Sequence, residues 1–273
     1  MGRGGASRSG ESAALSGGPK LPLDVADLIS ATIRESVAGW RGATRYRKPL
    51  LASVAADDRR FAELKRVVDP RHMLPEDLVP GARSVASFFL PFDEGIVEAN
   101  ADAREEVAPE WAVAYLETNE LIERIADQLT EALARHGIRA GAEPPSGRYD
   151  RRTFTSTWSH KSIAVIAGLA SFGAHHMAIT DSGCAGRFGS LVLDQELPWA
   201  AREQTQRCLH IASGGCLECV RRCPVGALSD EGAVDKQLCW SRCRRVAEAF
   251  EAVGAASVCG KCAVGPCALR AAA

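Results

Sequence analysis

The first 183 residues of this chain contain no cysteine. Of ten cysteines in 273 residues, none precedes Cys184, and nine lie between Cys208 and Cys267. A secreted domain held by disulfides distributes its cysteines along the whole chain, so the uneven placement argues against that class. We therefore expect a cytoplasmic protein whose thiols are reduced and free to bind metal.

The sequence also lacks an excess of one charge and a long apolar run. Its 33 Lys+Arg oppose 34 Asp+Glu, which excludes a global attraction to nucleic acid or anionic lipid, although not a local basic patch. The longest weakly charged stretch, 162–180, contains two glycines and two histidines and is expected to be buried core rather than a membrane span. Residues 1–20 lack a signal-peptide core and, being rich in Gly and Ser, predict a disordered tail.

Helical and strand patterns alternate over residues 21–200, which predicts an α/β domain. Asp24 and Ser159 are each expected to cap a helix, and a long helix through Trp111 is expected to stop at Gly137. Strands are predicted at 84–90, 177–180 and 190–193, the last two around a glycine-rich loop at 183–189. Residues 201–273 have few large apolar side chains, so this second domain is expected to need metal to fold.

The cysteine spacing in residues 201–273 is typical of iron–sulfur ligation. Cys216-x2-Cys219-x3-Cys223-Pro224 reproduces the last three ligands and the proline of the bacterial ferredoxin run. Ser213 stands where the first ligand is usual, and Cys208, five residues upstream, is its expected substitute. The remaining candidates are Cys239, Cys259, Cys262 and Cys267.

Eight thiolates can hold two [4Fe–4S] clusters with the crossed ligation of two-cluster ferredoxins. One cluster is expected to bind Cys208, Cys216, Cys219 and Cys267. The other is expected to bind Cys223, Cys239, Cys259 and Cys262. Spacing alone leaves Cys243 open as a ligand in place of Cys239. Zinc is the alternative metal, but the Cys-x3-Cys-Pro ending and the number of clustered cysteines favour iron–sulfur clusters.

The sequence upstream of the cysteines resembles the epoxyqueuosine reductase family. The resemblance is carried by 160–169 (HKSIAVIAGL), Phe172-Gly173 and Arg187-Phe188-Gly189-Ser190, which lead into the run ending Cys223-Pro224-Val225-Gly226-Ala227. Weaker similarity at 61–65 and 78–90 extends it over most of 24–267. Cys239 lies where the family has an isolated cluster ligand, which favours it over Cys243.

The resemblance implies an N-terminal α/β domain of the corrinoid-binding type followed by a two-cluster ferredoxin-like domain. It implies an oxidoreductase that passes electrons from an external donor, of the flavodoxin, ferredoxin or reductase kind, to cobalamin or a small-molecule substrate. Reductive dehalogenases are built on the same plan. The alternatives are a ferredoxin-type carrier with a partner-recognition domain and a redox or iron sensor.

Five residues are candidate cofactor contacts: His160, Lys161, Gly183, Gly186 and Arg187. A helix start and close backbone approach at glycines suit an anionic cofactor. Solvated caps and a tight turn explain the same residues without a ligand.

Three more side chains in this part of the sequence have competing interpretations. His175 and His176 could supply a ligand, or one could be packed and the other exposed. Cys184 could be a reactive thiol or an inert buried one.

Two features differ from the family pattern. Residues 154–159 contain no carboxylate where the family has its proton-donating Asp. The sequence ends six residues after Cys267, before the helical-repeat domain with which fuller members bind tRNA. We therefore expect neither tRNA nor epoxyqueuosine to be the partner or substrate.

Overall fold

The structure is a computed structural model that describes residues 24–145, 148–198 and 205–271. The tail predicted at 1–20 and the domain boundary predicted at 200/201 lie outside the described residues. The helices are α1 (Val25–Ala38), α2 (Arg60–Val67), α3 (Pro75–Leu78), α4 (Glu94–Asp102), α5 (Pro109–Ala134), α6 (His160–Ile166), α7 (Leu209–Ser213), α8 (Glu218–Arg221) and α9 (Lys236–Ala249). The strands are β1 (Leu50–Ala55), β2 (Ser84–Pro91), β3 (Ala140–Gly141), β4 (Tyr149–Asp150), β5 (Thr155–Ser156), β6 (Ser171–Phe172), β7 (Ala178–Ile179) and β8 (Gly186–Leu193).

The core is an antiparallel sheet with strand order β1-β2-β8-β3. Every residue of β2 is buried because helices cover both of its faces. On one face, Phe88 packs with residues of α1 and α5, and on the other Phe89 packs with residues of α2 and α6. The prediction of a mixed helix and strand fold is confirmed.

Local signals in the sequence placed several elements correctly, although β1 (Leu50–Ala55) was not predicted. Asp24 accepts a hydrogen bond from the Asp27 amide at the start of α1, and Ser159 caps α6 in the same way. The strand predicted at 84–90 is β2, which runs one residue further, and α5 is followed by Gly137 in a left-handed conformation.

The prediction of a loop over 183–189 is wrong in its second half, because β8 already begins at Gly186. A Cβ at Gly186 would lie 2.6 Å from the Phe89 ring, and one at Gly189 would lie 2.2 Å from the Phe88 ring. These glycines make room for aromatic rings of the neighbouring strand. The turn itself is confined to residues 180–183, where Thr180 and Gly183 form an isolated bridge.

The cysteine-containing segment shares a hydrophobic core with the helices that precede it. This core includes Ile96 of α4, Trp111 of α5 and Ile179 of β7, together with Val246 and Val264 from the C-terminal segment. Among the described residues, no helix is both long and apolar enough to cross a membrane.

Arg47 connects three distant parts of the chain. Its guanidinium donates hydrogen bonds to the carbonyls of Phe92 at 2.8 Å, Leu269 at 2.7 Å and Ser182 at 2.8 Å. Burial lowers the pKa of Arg47, although the carboxylates of Glu94 and Asp93 oppose this. The arginine therefore ties the end of the cysteine segment to the sheet.

We predict that Arg47→Met destabilises the protein by roughly 3 kcal/mol, because three carbonyls lose a charged donor. In thermal unfolding this corresponds to a decrease of about 6–12 °C in Tm. The exposed Arg41 provides the control, since Arg41→Met should change stability by no more than about 0.5 kcal/mol. Equal Tm values for the two variants would contradict the role given to Arg47.

Candidate metal centre

All ten cysteines lie within the described residues, and all are free thiols. Short helices and turns position most of them. Cys208 is the residue before α7, Cys219 lies in α8, and Cys239 and Cys243 are one turn apart on α9. The other candidates lie in the connecting segments.

Five of the predicted ligands line one cavity that is partly open to solvent: Cys208, Cys216, Cys219, Cys262 and Cys267. We call four of them, Cys208, Cys216, Cys219 and Cys267, the first thiol group. Burial, and then the charges of Cys267 and Cys208, raise the pKa of Cys219 to about 11. The structure therefore brings together the four cysteines that crossed ligation assigns to one cluster, with Cys262 of the other set beside them.

The other four predicted ligands form a second thiol group around Cys262. Burial, and then the charges of neighbouring thiols, raise the pKa of Cys262 well above its usual value. These neighbours are Cys259, Cys239 and Cys223, with a smaller effect from Cys219 of the first thiol group. The two groups are thus adjacent. A backbone amide, that of Ala227, donates a hydrogen bond to the Cys223 sulfur at 3.2 Å.

Cys243 lies beside this second thiol group and hydrogen bonds to Cys239. The bond lowers the pKa of Cys239 to about 7, with a further contribution from the charge of Lys161, and raises the pKa of Cys243. Of this pair, Cys239 is the more readily ionised thiol.

A cluster that the spacing did not reveal joins His175, Cys184 and Cys267. The His175 Nε2 atom lies 3.4 Å from the Cys267 sulfur and 3.6 Å from the Cys184 sulfur, and the two sulfurs are 3.9 Å apart. His175 and Cys184 are buried, whereas His176 is exposed, which confirms that one histidine is packed and the other is not. The hydrogen bond from Cys184, and less strongly the His175 ring, lower the pKa of Cys267 to about 5 despite burial.

The Cys259–Cys262 turn is seated against α4 and α5. Asn100 donates a hydrogen bond to the Cys259 carbonyl at 3.2 Å, and the buried Lys261 amine donates one to the Asn100 carbonyl. Gly260 has a φ of +73°, and a Cβ there would lie 2.2 Å from the Trp111 ring. Only glycine fits this turn without displacing Trp111.

Three of the five predicted cofactor contacts lie near one another. Arg187 is placed with its guanidinium 4.4 Å from the centre of the Tyr115 ring, and its charge adds to burial in lowering the pKa of His160 to about 4. Burial lowers the pKa of Lys161, whereas the thiolates of Cys262 and Cys239 oppose this. This region therefore borders the second thiol group.

Two of these side chains are already held by the protein. The His160 Nδ1 atom lies 2.9 Å from the Ser190 hydroxyl, and Lys161 donates a hydrogen bond to the His176 carbonyl at 3.0 Å. The Arg187 Nε–H and the His160 Nε2 atom are buried and have no hydrogen-bond partner among the described residues. Arg187 and His160 therefore both retain capacity for a ligand.

The other two predicted contacts, Gly183 and Gly186, are required for close approach of the chain itself. A Cβ at Gly183 would lie 2.1 Å from the Ala268 carbonyl oxygen, and one at Gly186 would lie 2.4 Å from the Leu90 carbonyl oxygen. Packing of the backbone thus explains these glycines without a ligand, and their contact with a cofactor stays a prediction.

No protein-family model matches the chain, and no curated protein matches it. Solved structures do. A selenomethionine-labelled epoxyqueuosine reductase is similar with a TM-score of 0.57 and 18% identity, over 89% of this chain and 66% of that one. The fold is that of epoxyqueuosine reductases. The epoxyqueuosine reductase from Bacillus subtilis is similar with a TM-score of 0.56 and 17% identity, over 89% of this chain and 66% of that one. The one from Streptococcus thermophilus has a TM-score of 0.56 and 14% identity, over 90% of this chain and 66% of that one.

The chain thus spans about two-thirds, 66%, of the length of these epoxyqueuosine reductases. The likeness to a catabolic reductive dehalogenase is weaker, with a TM-score of 0.48 over 72% of this chain. At the level of the fold, the resemblance that the sequence indicated is confirmed.

We predict that Gly260→Ala impairs both metal loading and stability, because the added methyl group collides with Trp111. The cost is expected to exceed about 3 kcal/mol, combining the left-handed backbone with overpacking. Gly226 is a matched control because its φ is +62° and a Cβ there would meet nothing within 4 Å. Gly226→Ala should therefore cost only about 1–2 kcal/mol.

Iron content and Tm of the two purified variants check this prediction. Loss of iron and a larger fall in Tm are expected for Gly260→Ala alone. Equal effects at both positions would show that the contact with Trp111 is unimportant.

Proposed function

We propose that this protein is an iron–sulfur oxidoreductase of the epoxyqueuosine reductase type, in which eight cysteines hold two [4Fe–4S] clusters. The observation that carries the proposal is that five cysteines, the first thiol group and Cys262, converge on one cavity. The second thiol group is adjacent, so electrons could pass between two sites.

The donor chemistry fits iron–sulfur clusters. Each thiol group has four sulfurs, and the hydrogen bond from the Ala227 amide to the Cys223 sulfur is of the kind that stabilises a cluster thiolate. A structural zinc site needs one set of four ligands and no such proline-terminated run. When bound, the clusters would accept and donate single electrons.

The pairing of Cys239 with Cys243 supports Cys239 as the fourth ligand of the second thiol group. The interaction with Cys243 lowers the pKa of Cys239 and raises that of Cys243, so Cys239 is the more readily ionised thiol. In this arrangement Cys243 orients a ligand without being one. The layout proposed from the sequence, an α/β domain at 21–200 and a ferredoxin-like domain at 201–273, places these ligands in the second domain.

We further propose that the acceptor, cobalamin or a small-molecule substrate, binds between α5, α9 and the start of β8. Arg187 and Tyr115 lie there, and Asn119, one turn after Tyr115 on α5, has a buried side-chain oxygen with no hydrogen-bond partner among the described residues. Such unsatisfied groups suit the amide-rich rim of a corrinoid. Lys161 lies between this region and the second thiol group.

One of the similar structures is an epoxyqueuosine reductase with an epoxyqueuosine-modified tRNA stem loop. For the present chain we favour a small-molecule acceptor, because its formal charge of −1 provides no general attraction for a nucleic acid. The external electron donor would be of the flavodoxin, ferredoxin or reductase class, and we propose that the protein acts in the cytoplasm.

We predict about eight iron and eight sulfide ions per chain after anaerobic purification. Cys208→Ser and Cys239→Ser should each reduce the iron to about four, because each removes one ligand from a different thiol group. Cys243→Ser is the matched control and should retain about eight. Zinc without sulfide would contradict the proposal, and loss of iron in the control would make Cys243 a ligand.

We also predict that the eight-iron protein binds cobalamin, with a change in its visible spectrum. Arg187→Met should weaken binding about tenfold, because it removes a charged hydrogen-bond donor. Arg124 provides the control, since it also lies over an aromatic ring, 5.9 Å from the centre of Trp40, but outside this region. Absence of binding by the fully loaded protein would favour a ferredoxin-type electron carrier.

A further inference from the structure

His175 is buried in the wall of the cavity that the first thiol group lines. The His175 ring occupies the space where residue 173, a glycine, has no side chain, and this confines the ring. A Cβ at Gly173 would lie 2.7 Å from the His175 Cε1 atom and 3.0 Å from its Nδ1 atom. The glycine and the ring are therefore complementary, and the ring is held in one orientation.

A backbone hydrogen bond determines which ring nitrogen carries the proton. The Met177 amide donates to His175 Nδ1 at 3.1 Å, so Nδ1 is an acceptor and has no hydrogen. In a neutral imidazole the hydrogen must then be on Nε2. The other ring nitrogen of His175 is thus a hydrogen-bond donor, and it faces two sulfurs.

Of these two sulfurs, Cys267 is the acceptor with the shorter distance, 3.4 Å. The Cys184 sulfur, at 3.6 Å, has one hydrogen of its own, which it donates to the Cys267 sulfur at 3.9 Å with the Ala263 carbonyl also within reach at 3.7 Å. Cys267 is one of the proposed cluster ligands, and a ligand sulfur is a thiolate without a hydrogen. The donor on His175 therefore has a charged acceptor.

Building on the proposed function, we propose that His175 is a positioning residue for the first cluster: its Nε2–H donates a hydrogen bond to the Cys267 thiolate and raises the cluster's reduction potential. Reduction adds one electron to the cluster and its thiolates, so a donor at the sulfur stabilises the reduced state more than the oxidised state. Met177 and Gly173 hold the donor in place.

The experiment is a redox titration of the eight-iron protein, followed by electron paramagnetic resonance, which gives a midpoint potential for each cluster. In His175→Phe, the midpoint potential of one cluster should fall by about 59 mV, which corresponds to a tenfold change in the equilibrium constant of a one-electron reduction. The other should stay unchanged. In His175→Gln the amide can donate from nearly the same place, so part of the decrease should be recovered.

His176→Phe is the matched control, because its imidazole is adjacent in sequence but exposed and bonded to the Gly232 carbonyl. Unchanged potentials in His175→Phe, or the same decrease in His176→Phe, would overturn the proposal. If His175→Phe loads fewer than eight irons, Gly173→Ala replaces it, because the new methyl group displaces the ring without removing it. An unchanged potential there would likewise overturn the proposal.

The iron and sulfide content of the unmodified chain is measured first. A chain without clusters would refute the proposed function. Eight irons with unaltered potentials in the variants would refute only the role of His175.

Discussion

The amides of Cys184 and Ala185 donate hydrogen bonds to the carbonyls of Cys267 and Ala268, at 2.9 and 3.0 Å. This contact joins the edge of the sheet to the last residues of the cysteine segment. It is possible only because residue 183 has no side chain, since a Cβ there would lie 2.1 Å from the Ala268 oxygen. Arg47 strengthens the same junction through the Leu269 and Ser182 carbonyls.

The position of Cys267 follows from this junction. Held against the residues just before β8, Cys267 lines one cavity with Cys208, Cys216 and Cys219, and Cys262 of its own run lies at the same cavity. This placement is compatible with the crossed ligation that we propose. The same contact brings Cys184 and His175 to the Cys267 sulfur, so that the α/β part of the molecule reaches the first thiol group.

The hydrophobic core that the cysteine-containing segment shares with α4 and α5 explains how this segment, which has few large apolar residues, packs against the rest of the protein. Val246 and Val264 pack with Trp111 of α5, and the turn at Gly260 lies directly against that ring. Burial of these side chains and the two backbone hydrogen bonds at Cys184 and Ala185 hold the segment without an independent core, and the metal ligation that we propose would add to them. The region beside Arg187, where we propose that the acceptor binds, borders the second thiol group.

The parts of the fold and of the candidate metal centre that depend on residues close together in the chain could be predicted from the sequence. Caps at Asp24 and Ser159 and the buried run of β2 depend on neighbours in the sequence, and cysteine spacing within short runs indicates which thiols can converge. Long-range contacts leave no such pattern. Cys184 and Cys267 are 83 residues apart. Gly186 and Gly189 suggested a loop because the phenylalanines that fill their space belong to another strand.

Diffraction from crystals of the anaerobic protein, recorded on both sides of the iron absorption edge, will show whether the two thiol groups hold two separate iron–sulfur clusters with Cys223 and Cys267 exchanged between runs. We expect two four-iron peaks, one bounded by Cys208, Cys216, Cys219 and Cys267. A single metal peak, an absorption edge of zinc, or Cys267 bound to the same cluster as Cys259 and Cys262 would refute this arrangement.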